Sequence, residues 1–125
     1  MKLIRLLESD WKLIRSQGDQ ILAELQRAFK WHTEYTPGTD FIDHVSFHLD
    51  IPDDIDAEHF LFTVKMIDKL IVPLTKKYLG RGWEPMEIRI KPKNLSAFSI
   101  SKENIVNVLK NFSGLKLLIV IQRID

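Results

Sequence analysis

Eight residues decide the fold: HVSFHLDI, at positions 44–51, alternates polar and apolar side chains along its whole length. Successive side chains of a β-strand point to opposite faces, so this alternation predicts a half-buried strand. Pro52 follows directly and ends the strand. We expect the apolar set to face the core, namely Val45, Phe47, Leu49 and Ile51.

Helical patterns lie on both sides of this strand. Between residues 4 and 28, apolar or small residues recur every three or four positions, which predicts one face of a helix. Alternatively, Ser9 and Asp10 cap a helix that starts at Trp11 and leave residues 2–7 as a separate element; both alternatives stay open. A second helix is predicted after Asp56, with Gly80 as its stop. Its core-facing residues are Phe60, Val64, Ile67, Ile71, Leu74 and Tyr78.

The remaining elements follow from the same patterns. Residues 32–43 are predicted to be a loop that turns at Pro37-Gly38. Residues 86–91 alternate like a second strand, with Met86, Ile88 and Ile90 inward, and residues 97–100 form a short extended piece. Residues 115–121 are almost wholly apolar, as in a strand covered on both faces. Between these strands, Ser101 caps a third helix that buries Ile105, Val108, Leu109 and Phe112.

These elements predict an α+β fold, a small α/β sandwich built as a single domain over residues 1–125. We expect a mixed sheet of about three to five strands, with about three helices packed on it. The predicted order is α-β-α-β-(β)-α-β. The last strand is expected to be central, and strand-helix-strand steps are expected to be right-handed crossovers.

Composition narrows the class of protein. The chain has 125 residues, 45% of them hydrophobic and 28% charged, which suits one soluble globular domain. It contains no cysteine, which excludes thiolate catalysis and Cys-based zinc sites and fits a reducing cytoplasm. No apolar run reaches the roughly 18 residues of a membrane helix. No phosphate-binding glycine loop, nucleophile elbow or metal-binding helix motif occurs, so we predict no cofactor and no metal.

The net charge of +1 hides a strong asymmetry along the chain. Residues 1–62 carry six Lys or Arg against twelve Asp or Glu, whereas residues 63–125 carry twelve against five. Between Lys30 and Lys65 lie eight carboxylates and all four histidines, without a single Lys or Arg. We call residues 34–58 the acidic segment.

The acidic segment suggests the leading functional hypothesis. It combines carboxylates with aromatic side chains, and charged surfaces with aromatic anchors favour fast, specific protein association. We therefore expect a small non-enzymatic binding domain that neutralises a basic partner, most concretely an inhibitor or immunity (antitoxin-type) protein that masks a nuclease toxin. The candidate contact residues are Glu34, Tyr35, Asp40, Asp43, Asp53, Asp54 and Glu58.

Two alternatives from other classes remain. The first is a phosphodiester-acting or other hydrolytic enzyme centred on His44, His48 and Arg89, with one histidine as base and the other as acid. His44 and His48 lie roughly 13 Å apart on one strand face, which argues against a shared metal ion. The second is a nucleic-acid binder that uses the basic segment 65–93, for which a net charge of +1 is modest. Its candidate residues are Lys69, Lys76 and Lys77, with Trp83 as a surface stacking residue.

Overall fold

The computed structural model describes residues 2–31, 33–37 and 44–124, with side chains over 15–31, 33 and 44–124. In this part of the chain it contains three helices and six strands, which confirms the α+β class and the predicted order. The elements are α1 (Lys2–Ala28), β1 (Thr33–Pro37), β2 (His44–Asp50), α2 (Ala57–Tyr78), β3 (Trp83–Pro85), β4 (Arg89–Lys91), β5 (Phe98–Ser99), α3 (Ile105–Asn111) and β6 (Lys116–Arg123).

The sheet is organised around β6, as predicted for the last strand. β2 pairs with one side of β6, and β3 and β4 pair in succession with the other side. β1 extends the sheet beyond β2, and β5 extends it beyond β4. Every described ladder is antiparallel, so the sheet is not mixed and the expected right-handed crossovers between parallel strands do not arise.

The core lies between one face of this sheet and the helices. The four predicted inward residues of strand 44–51 are all buried, together with Leu117, Ile119 and Ile121 of β6. Ile21 and Leu25 of α1 belong to the same core cluster, as do residues of α2 and α3. The opposite sheet face, which we call the open face, carries Leu118 and Val120 half-buried. The prediction that the last strand is covered on both faces is therefore wrong for this second face, where Leu118 and Val120 are only half-buried.

Residues 33–37 are a strand rather than part of the predicted loop. The backbone pairs antiparallel with β2, from Thr33 opposite Leu49 to Pro37 opposite Val45. Thr33 is buried, and its hydroxyl donates to the Trp31 carbonyl at 3.0 Å. The turn predicted at Pro37-Gly38 lies at the edge of the described residues, because residues 38–43 are outside them.

The strand predicted over 86–91 is interrupted by a β-bulge. Pro85 pairs with Ile121 and Arg89 with Leu118, so one extra residue lies on the β3–β4 side. Met86 is therefore 43% exposed instead of inward, while Ile88 and Ile90 are buried as predicted. Pro85 offers no N–H to the ladder, and proline within sheets is found at edges and bulges.

The helix ends follow local capping chemistry. α1 runs unbroken through Ser9-Asp10, which decides between the two alternatives for residues 2–7. Ser101 and Asn104 bond reciprocally in the turn that leads into α3, where each side chain accepts the backbone N–H of the other; the N-cap of α3 is Asn104, which makes no side-chain bond to the helix. α3 buries Ile105 and Val108, with Leu109 half-buried. Phe112 follows the helix as an extended residue that is 39% exposed, so its predicted burial is wrong.

Candidate functional site

The structure describes part of the predicted contact surface. Asp53, Asp54 and Glu58 are exposed where β2 leads into α2. Glu34 and Tyr35 lie in β1, where the backbone alone is described, and Asp40 and Asp43 lie outside the described residues. We call residues 53–58 the acidic turn, since this is the described stretch in which the predicted carboxylates follow one another closely.

Local hydrogen bonds fix the backbone of the acidic turn. The Ile55 N–H donates to the Pro52 carbonyl at 3.3 Å and closes a tight turn. Asp56 then caps α2, because its Oδ1 accepts the His59 N–H at 2.7 Å. This bond satisfies one of the N–H groups that the first turn of a helix leaves without an intrahelical partner. The carboxylates of the turn are thereby presented from a fixed backbone.

The exposed carboxylates of the acidic turn remain available to a partner. Among the described residues, Asp53, Asp54 and Glu58 form no ion pair. Asp50, only three residues earlier, differs because its Oδ1 lies 3.8 Å from Lys116 Nζ. Lys116 from the second half of the chain thus approaches the end of β2, whereas Asp54 and Glu58 of the acidic turn are exposed to solvent.

The three residues of the enzyme alternative share one sheet face but lie at separate positions on it. His48 pairs with Leu118, and Leu118 pairs with Arg89, so one strand separates His48 from Arg89. Two strand spacings are roughly 10 Å. His44 lies four residues away, opposite Gln122, at about 13 Å along the strand. An acid and a base must each come within hydrogen-bond reach of the substrate, so backbone separations of roughly 10 Å and 13 Å do not favour this alternative.

A depression of about 640 Å³ opens beside His48, at the end of the open face. The end of β2, the start of β6 and the end of β4 form its walls. We call it the lysine hollow because three lysines line it, Lys91, Lys93 and Lys116. His48, Asp50 and Asp53 line it as well. His44 and Arg89 do not line it.

Sheet register brings the charges of the lysine hollow together. Lys116 of β6 pairs with Asp50 on one side and with Lys91 on the other, so three charged residues form a row across three strands. The Lys91 ammonium donates to the Leu95 carbonyl at 3.0 Å. Sequence analysis missed this site, because Lys91 and Lys116 belong to different strands and only the pairing of β4 with β6 makes them neighbours. The one available signal was Lys116, the single charge in the otherwise apolar run of residues 115–121.

The structure does not support Trp83 as the stacking residue of the nucleic-acid alternative. The expectation that Trp83 is exposed is wrong: it is 9% exposed and belongs to the core cluster. Trp83 opens β3 opposite Arg123, whose guanidinium lies 5.0 Å from the ring centroid. Lys69, Lys76 and Lys77 are exposed on α2, and the Lys77 ammonium lies 5.0 Å from the Tyr78 ring centroid. These lysines present positive charge, but the buried Trp83 ring offers no surface for stacking on bases.

Other site types and relatives give no further assignment. Among the described side chains, which cover residues 15–31, 33 and 44–124, no three His, Asp or Glu cluster in a way that could hold a metal ion. Over the same residues, no helix combines the length and the apolar character needed to cross a membrane. No protein-family model, curated protein or solved structure matches this chain.

Proposed function

We propose that this protein is a non-enzymatic binding domain that docks a basic protein partner through its acidic segment. The observation that carries the proposal is the acidic turn, where Asp53, Asp54 and Glu58 are exposed together without an ion pair among the described residues. Charges at an interface rim raise the association rate and select the partner by sign. The partner surface is therefore expected to be rich in Lys and Arg.

The most concrete form of this proposal is an inhibitor or immunity protein that masks a nuclease-type toxin. A nuclease binds a phosphate backbone with a basic surface, so a rigid array of carboxylates is complementary to the same surface. The absence of cysteine from the sequence suits an encounter in a reducing compartment such as the cytoplasm. The remaining candidate contacts, Glu34, Tyr35, Asp40 and Asp43, belong to the same proposal.

The test compares charge-reversal variants in calorimetric titrations with basic nuclease domains whose activity the wild-type chain inhibits. The test variant is Asp54→Lys with Glu58→Lys; Asp53 is left unchanged because it also lines the lysine hollow. The matched control is Asp68→Lys with Glu103→Lys, two exposed carboxylates outside the acidic turn with the same change in net charge. We expect the test variant to lose at least tenfold in affinity, about 1.4 kcal/mol, and the control to lose little.

Two results would count against this function. Equal affinities for the test variant and the wild-type chain would show that the acidic turn is not the docking surface. A loss of the same size in the control would show that net charge, rather than the position of the carboxylates, governs binding. If the wild-type chain inhibits no basic nuclease, the toxin-neutralising form of the proposal is wrong.

A further inference from the structure

The lysine hollow has the size and construction of a small-molecule site. Its volume of about 640 Å³ falls within the range of roughly 300–1,000 Å³ that is typical of ligand pockets. Ile51, Pro92 and Leu115 line it and are buried, which provides apolar surface at its base. The backbone there is tied together, because the Ile51 N–H donates to the Leu115 carbonyl at 3.0 Å.

The charged rim of the hollow is predominantly positive. It carries three lysines against two aspartates, besides His48. Lys91 and Lys116 are direct cross-strand partners, and like charges in that position destabilise a sheet. Asp50 lies 3.8 Å from the Lys116 ammonium, well beyond the roughly 2.8 Å of a charge-assisted hydrogen bond. An anion placed between Lys91 and Lys116 would offset the like-charge contact of these two strand partners.

The third lysine is positioned by a glycine turn. Gly114 has φ +61°, a left-handed conformation that favours glycine, and it leads the chain into β6. A Cβ atom at Gly114 would lie 3.4 Å from Lys93 Cβ, so the aliphatic stem of Lys93 runs along this turn. Lys93 thus lies beside the turn that leads into β6, and it lines the same hollow as Lys116.

We propose that the lysine hollow binds a small phosphorylated molecule, with the phosphate among Lys91, Lys93 and Lys116 and the apolar part of the ligand against Ile51, Pro92 and Leu115. Lysine ammonium groups act as point charges toward phosphate, whereas planar recognition of carboxylate favours arginine, which does not line the hollow. This site is separate from the docking of a basic protein, although Asp53 lies at its edge.

Calorimetry and thermal unfolding with ATP, inorganic pyrophosphate and citrate test this site on the full chain. ATP supplies phosphates with a planar apolar body, pyrophosphate supplies phosphate alone, and citrate supplies carboxylates. We expect saturable binding in the order ATP, pyrophosphate, citrate, with citrate at least tenfold weaker than ATP. Because a ligand that binds the native state stabilises it, ATP should also raise the unfolding midpoint.

The variants Lys116→Met and Lys91→Met remove a charge but keep a long aliphatic stem. Each should weaken ATP at least tenfold and abolish the rise in midpoint. Lys110→Met, on the exposed side of α3, is the matched control and should bind as the wild-type chain does. Asp54→Lys with Glu58→Lys should also retain ATP binding, which separates this site from the proposed docking surface.

Three results would overturn the proposal. The first is the absence of saturable binding by both ATP and pyrophosphate. The second is an equal loss in Lys110→Met and Lys116→Met, which would indicate general attraction of anions to a lysine-bearing surface. The third is citrate binding as tight as ATP, which would assign the hollow to carboxylates instead of phosphates.

Discussion

Replacement of Trp83 by alanine distinguishes a core residue from a nucleic-acid stacking residue. Trp83 is 9% exposed at the start of β3, and it belongs to the core cluster between the sheet and the helices. If this placement is right, the substitution removes most of a large buried side chain. If the ring were a stacking surface, the same substitution would leave stability nearly unchanged and weaken nucleic-acid binding.

The expected loss can be worked from burial. A buried tryptophan removes about 150–250 Å² from water, and about 25 cal/mol per Å² of apolar area gives about 4–6 kcal/mol. Alanine keeps a small part of this, and Trp→Ala changes in cores cost about 3–5 kcal/mol. Loss of the Arg123 contact at 5.0 Å adds about 0.5–1 kcal/mol. We therefore expect Trp83→Ala to lower the free energy of unfolding by about 4 kcal/mol.

Urea unfolding followed by far-ultraviolet circular dichroism measures this loss without relying on tryptophan fluorescence. Arg123→Gln is the matched control, because it removes the cation and leaves the ring buried; it should cost about 1 kcal/mol or less. A loss below about 1 kcal/mol in Trp83→Ala would refute the core placement. Gel retardation at low salt, which would fall selectively in Trp83→Ala if the ring stacked on bases, provides the complementary measurement.

Two further predictions concern α2. Asp56→Ala should lower the free energy of unfolding by about 1 kcal/mol, because it removes the acceptor of the 2.7 Å bond from His59 N–H. Asp56→Asn keeps an acceptor and should recover most of this when both variants are compared by thermal unfolding; equal losses would contradict the cap. Phe60 is fully buried and Phe62 is 62% exposed, so Phe60→Ala should cost about 3–5 kcal/mol and Phe62→Ala within about 0.5 kcal/mol. Similar urea midpoints for the two variants would contradict the assigned helix face.

The elements that were predicted correctly are helices and strands that bury one face. Their apolar residues therefore recur at the period of the helix or strand. In β2, Val45, Phe47 and Leu49 are all fully buried, as the alternation of residues 44–51 requires. In α2, steps of three and four placed Phe60 and Ile67 in the core. Such patterns are local, because each helix or strand repeats its own geometry over enough residues to be recognised.

The errors arose where partners distant in the sequence decide the structure. TEYTP at residues 33–37 has no apolar alternation and ends in proline, and only pairing with β2 makes it a strand. The bulge after Pro85 adds one residue and reverses the side that Met86 faces. Trp83 looked exposed because glycine and proline surround it, yet its pairing with Arg123 places it in the core.

The two candidate sites differ in the same way, because one is formed by residues close in sequence and the other by strand pairing. Asp53, Asp54 and Glu58 are close in sequence, so their exposure on one turn could be predicted from the Pro52 stop and the Asp56 cap. The lysine hollow could not, because Lys91 and Lys116 meet only through the β4–β6 ladder. From the distribution of charge along the sequence, Lys91 was placed in the basic segment 65–93 and Lys116 was given no functional role.

The position of β6 in the chain has a consequence for biosynthesis. β6 joins β2 to β3 and β4, and it follows all of them in the sequence. While the chain emerges from the ribosome, the edge of β2 that pairs with β6 therefore stays unpaired until β6 is synthesised. Unpaired strand edges invite association between nascent chains, so newly made molecules depend on rapid closure of the sheet once β6 is free.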